Sequence, residues 1–208
     1  MKKQLIRYFL EFLVIVLGIS ISFYLEKQNA IKYKETLKNQ SLSRILTNCK
    51  VDHEDYLFNL EAQKIAIKSG QWIVDNQNQL SKYSRDSIGY HIGAAISINT
   101  IFVDNQEEYR GLQNSGLIEL IDNESVVTAL QKKYIYHDFC KQIEGMINLR
   151  ANAILDFLYT NTKYNSNQVN PLGYQIDRTY TGNLKIPQKI IQQVQDKLYL
   201  HHYYKENK

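Results

Sequence analysis

From Tyr8 to Leu25 the chain reads YFLEFLVIVLGISISFYL, an apolar run of 18 residues broken by one carboxylate, Glu11. As helix it is roughly 27 Å long against a hydrocarbon core of about 30 Å, so it predicts one transmembrane span. Neither Gly nor Pro occurs between Gly18 and Gly70. Leu42, Ile45, Cys49, His53, Tyr56 and Leu60 recur at spacings of three or four, one apolar helical face, which predicts that the same helix runs on beyond the span. Ser69 and Gly70 predict its stop, followed by a short helical piece around Trp72 and Ile73.

Four further segments follow. Arg85 to about Thr100 reads as helix, although Gly89 and Gly93 weaken it by roughly 1 kcal/mol each; glycines so placed also permit a neighbour to pack closely. Asp104 with Glu107 three residues on has the form of a capping box opening a helix that ends at Asn114, Ser115 and Gly116. Leu117 to Ile121 is an apolar connector, and Asp122 or Asn123 caps a long helix from Glu124 to about Thr160, with a ladder of Val127, Leu130, Tyr134, His137, Ile143, Ile147, Ile154 and Leu158. Residues 161–186 collect Pro171, Gly173, Gly182 and several Asn and read as a long loop. Pro187 starts a last helix reaching about Tyr204. The expected fold is all-α: residues 1–7 a cytoplasmic tail, 8–25 the transmembrane helix, and 26–208 an extracytoplasmic antiparallel bundle of four or five helices.

Composition narrows the function without naming it. Twenty-five Lys and Arg against 21 Asp and Glu give a net charge of +4, too weak a field to predict a nucleic-acid partner. Lys2, Lys3 and Arg7 hold the N-terminus in the cytoplasm, while Lys27, Lys32, Lys34 and Lys38 beyond the span make the asymmetry modest. With that orientation the protein lies in the inner membrane and its C-terminal domain in the periplasm. Cys49 and Cys140, the only two cysteines, form no CxxC pair, and a disulfide between them requires an oxidising compartment.

Nucleotide-binding glycine motifs, a nucleophile elbow and an H-E-x-x-H zinc motif are all missing from the chain, and no cofactor is expected. Cys49 with His53 has the spacing of an activated thiol and His137 with Cys140 that of two metal ligands, yet all four lie on or beside apolar stripes, where packing is the simpler account. His201 and His202 with Tyr199, Tyr203 and Tyr204 form an aromatic, titratable tail that reads as the packed end of a helix or as a contact to headgroups or a partner. Glu11 either snorkels beside Arg7, four residues earlier on the same face, or meets another span or an ion path. Gly18 and Ser22 form one small face that admits a neighbouring helix.

Two stretches, RYFLEFLVIVLGISISFYLEKQN and the block Tyr109, Leu112, Ser115, Gly116, Leu117, Leu120, Ile121, Asn123, then Leu130 and Tyr134, together resemble an uncharacterised family of small single-span inner-membrane proteins from Bacteroidota. The latter block is similar to that family's Y-x-x-L-x-x-S-G-x-x-x-L-I-x-N pattern. Glu26, Lys27 and Gln28 depart from its usual aromatic and Asn residues, and the C-terminal third matches none of its blocks. The resemblance implies a helical extracytoplasmic domain and no established activity. Independently of it, Gly116 suits a left-handed helix end, Leu117 packs back over that end, and Asn123 starts the next helix, a structural corner. The expected function is a non-enzymatic interaction or assembly subunit that contacts the lipid bilayer and either another envelope membrane protein or itself. The alternative is a ligand-sensing bundle that signals through a membrane partner.

Overall fold

Helix α1, Lys2–Asn76, is one unbroken element in the computed structural model, which describes residues 2–165 and 169–206, with side chains from residue 4 onward. The side chains of the cationic flank residues Lys2 and Lys3, and residues 166–168 of the expected 161–186 loop, therefore lie outside the described ones. Helices α2 (Arg85–Ser97), α3 (Glu107–Asn114), α4 (Glu124–Asn152) and α5 (Leu155–Asn161) follow, then strands β1 (Thr162–Tyr164) and β2 (Arg178–Tyr180), then α6 (Gln188–Glu206). The all-α class holds, with six α-helices among the described residues and one small antiparallel pair, in which Thr162 faces Tyr180 and Tyr164 faces Arg178.

Three boundaries differ from expectation. Ser69 and Gly70 do not end α1, because both are buried and the helix continues to carry Trp72, Ile73 and Val74 against the core. The long helix after Asn123 breaks at Asn152 into α4 and α5, where Ile154 N–H turns back to Ala151 at 3.0 Å. That step buries both Ile154 and Leu158. Helix α3 begins at Glu107, where the Gln106 side chain makes no cap, and the Asp104 carboxylate pairs with His137 and Lys141.

The chain divides into two units, residues 1–48 with 106–130 and residues 49–105 with 131–208. In the first, the corner expected at Gly116, Leu117 and Asn123 is present. Gly116 has φ 70°, Leu117 is buried, and Asn123 Oδ1 accepts from Ser125 N–H at 3.0 Å to start α4. Lys38 donates to the Leu120 carbonyl at 2.9 Å and pairs with Glu35, and Arg44 pairs with Glu108 at 2.6 Å, which tie the α3 to α4 connection onto α1.

In the second unit the main apolar cluster joins Ile73, Ile88, Ile92, Ile96, Ile154, Leu158, Tyr180, Ile191 and Val194. The strand pair rests directly on α2. A Cβ on Gly89 would sit 2.0 Å from the Arg178 carbonyl oxygen, and one on Gly93 would sit 3.1 Å from Arg178 Cδ. The glycines do permit close packing, with a strand as the neighbour.

Gly89→Ala should therefore cost about 1–3 kcal/mol or more in urea unfolding of the detergent-solubilised chain, since backbone cannot yield as a side chain can. Gly111→Ala, in the interior of α3 with nothing within 4 Å of the new methyl, should gain roughly 0.5–1 kcal/mol.

Candidate functional site

Residues 98–105 join α2 to the start of α3 without regular structure, and such a segment must find partners for every buried N–H and C=O. Side chains supply them. Glu144 on α4, 2% exposed, accepts from Phe102 N–H and from the Thr100 hydroxyl at 2.6 Å. On α1, Asp55 accepts from Val103 N–H at 3.0 Å and Asp52 from Asn105 N–H at 3.1 Å. Asn148 and Asn59 donate to the Thr100 and Ile101 carbonyls at 3.0 and 3.4 Å. Lys197 on α6 sends its ammonium to the carbonyls of Ala95, Ile96 and Ile98 at 2.7–2.9 Å, acting as the cationic cap on the end of α2.

A relay crosses the same interior. His201 Nδ1 donates to Gln63 Oε1 at 3.3 Å, Gln63 Nε2 to the Thr100 hydroxyl at 3.0 Å, and that hydroxyl to Glu144. Burial sets the titration of these groups. It pushes the Glu144 carboxyl up, pulls Lys197 down to about 7, and holds His201 well below the usual imidazole range, where the Lys197 charge pushes the same way.

Beside this segment is a cavity of about 210 Å³ lined by Cys49, Asp52, His53, Tyr56, Phe102, Lys133, Tyr136, His137 and Cys140. Both pairs flagged by spacing, Cys49 with His53 and His137 with Cys140, thus face one space. Their chemistry is muted. Both cysteines are free, and burial pushes the Cys140 thiol up, the opposite of what a nucleophile needs. His137 Nδ1 donates to Asp104 at 2.9 Å, Asp104 also pairs with Lys141, and Lys133 pairs with Asp52 at 2.6 Å. Among the described residues no three His, Cys, Asp or Glu stand close enough to hold a metal ion.

The remaining flagged residues lie apart. Glu11 meets Arg7 at 3.0 Å, both exposed, Gly18 is open, and the Ser22 hydroxyl donates back to the Gly18 carbonyl at 2.9 Å. In the tail, His201 and Tyr204 are buried whereas Tyr199 and Tyr203 stack on the surface, ring centroids 6.3 Å apart. Asp52, Glu144 and Lys197 were not singled out from the sequence, and Asp104 was read there only as a helix cap. Asp52, Glu144 and Lys197 carried one signal, a charge at a position where the apolar stripe of its helix should continue.

Glu144→Ala should cost about 2–4 kcal/mol by stranding the Phe102 N–H and the Thr100 hydroxyl, while exposed Gln142→Ala should stay within about 0.5 kcal/mol in the same denaturant series. For Lys197 the folded value, about 7, lies below the unfolded 10.5, so the unfolded chain binds more protons in between. Stability contributed at this site should rise with pH from about 7 to 10.5, and Lys197→Met should remove that slope from unfolding free energies measured across the range. No family model, curated protein or solved structure matches this chain.

Proposed function

We propose that the chain is a single-span membrane-tethered, non-enzymatic interaction or assembly subunit, its N-terminus cytoplasmic and its C-terminal domain periplasmic in the inner membrane. The observation that carries it is the start of α1. This is the one helix among the described residues long and apolar enough to cross a bilayer, and none of its apolar window is buried. Phe9, Phe12, Val14, Ile15, Leu17, Ile19, Ile21 and Phe23 are exposed around the whole circumference. Water makes such a surface costly, whereas a bilayer covers it without any protein partner. Arg7 paired with Glu11 one turn inside supports the snorkelling account of the carboxylate.

The non-enzymatic part rests on chemistry already closed within the molecule, a raised thiol and buried charges held by partners. The block around Gly116 and the span support kinship with the Bacteroidota family. The cavity at Cys49 and Cys140 favours the second reading, a small-ligand sensor acting through a membrane partner.

Full-length protein should stay in the membrane pellet through alkaline carbonate extraction, and a chain lacking residues 1–25 should not. A periplasm-active reporter fused after Lys208 should give signal. Full-length protein in the aqueous fraction would overturn the tether, and cytosolic reporter signal the orientation. Native mass spectrometry of gentle detergent extracts should show a partner or a second copy; a bare monomer with a retained small molecule would favour the sensor.

A further inference from the structure

We propose that the first turns of α1 past the span, carrying Lys27, Lys32 and Lys34, bind the phosphodiester headgroups of anionic phospholipids. The inference rests on the reading of Tyr8–Leu25 as a bilayer span. Because α1 has no break, helical rise sets these lysines about 3, 10 and 13 Å along the axis past Leu25. The headgroup layer is roughly 5–7 Å deep on each side, so Lys27 stands within it and the longer reach of Lys32 and Lys34 brings their ammoniums toward it.

These three lysines differ from the next one along. Lys38 is buried, paired with Glu35 and bonded to the Leu120 carbonyl. Lys27, Lys32 and Lys34 are all exposed, and none of the three has an ion pair among the described residues. The opposing carboxylate in this stretch is Glu26, since Glu35 is engaged by Lys38. Lys27 and Lys34, seven residues apart, share one side of the helix and Lys32 lies nearly opposite. A protein partner would meet only one side. Lipids surround a span, so a ring of cations suits headgroups. Tyr24 and Tyr33, both exposed, flank the ring with the amphipathic side chain found at membrane interfaces. Each ammonium near an anionic surface is worth about five-fold in local lipid concentration, and added salt screens it.

The test uses the full chain in nanodiscs of phosphatidylcholine mixed equally with phosphatidylglycerol, with the lipids that stay bound after detergent extraction counted by native mass spectrometry. Phosphatidylglycerol should be enriched several-fold over the bulk, less so in high salt. The enrichment should vanish for the combined Lys27→Gln, Lys32→Gln, Lys34→Gln chain and persist for Lys50→Gln, Lys132→Gln, Lys189→Gln. No enrichment, or equal enrichment in both variants, overturns the lipid site while leaving the span intact. Failure of the native chain to enter nanodiscs at all overturns the span and the lipid site together.

Discussion

The irregular segment from Ile98 to Asn105, buried at Ile98, Thr100 and Phe102, is the constraint on which the second unit depends. A helix or a sheet satisfies its own backbone; this segment cannot, so acids, amides and a lysine from α1, α4 and α6 do so instead. Glu144, Asp52, Asp55, Asn59, Asn148 and Lys197 are therefore parts of the backbone's hydrogen bonding as much as they are side chains. Each is desolvated at a cost that only full pairing offsets. The segment fixes the register of three helices because each helix must present its polar group at one position.

The opposite condition holds at the start of α1. There, past the first turn, the backbone is satisfied within the helix and the side chains are apolar around the circumference, as a hydrocarbon environment demands. One continuous helix thus passes from an uncovered apolar surface to an interior of buried charges. Nothing in its backbone marks the change. The side chains alone determine which solvent each stretch tolerates, and the lysines past Leu25 mark the transition.

Helix identity was legible because period and caps act locally. Ser84 accepting from Ser87 N–H at 3.1 Å, Gly116 at positive φ and Asn123 as a cap are each decided by a few neighbouring residues. The break at Asn152 carries neither Gly nor Pro and follows from where Ile154 and Leu158 must be buried, which is a tertiary demand. Asp104 shows the same limit. Its spacing to Glu107 fits a capping box, and no local signal foretells that the carboxylate also pairs with His137 and Lys141, more than 30 residues away. Charges on apolar stripes are ambiguous in a sequence because the partner that makes them tolerable is remote.

The convergence of Cys49, His53, His137 and Cys140 on one cavity follows from that geometry rather than from a demand for chemistry. His137 and Cys140 lie on the inward stripe of α4, and half-buried Cys49 and exposed His53 border the inward stripe of α1, so helix packing places them together whether or not they react. What separates a site from a packed interior is whether the groups keep unspent capacity. Here the Lys133 ammonium is taken by Asp52, the His137 ring by Asp104, and the Cys140 thiol is driven toward its neutral form by burial. Such a cavity offers a shape and a set of aromatic walls, so recognition by fit needs no further group.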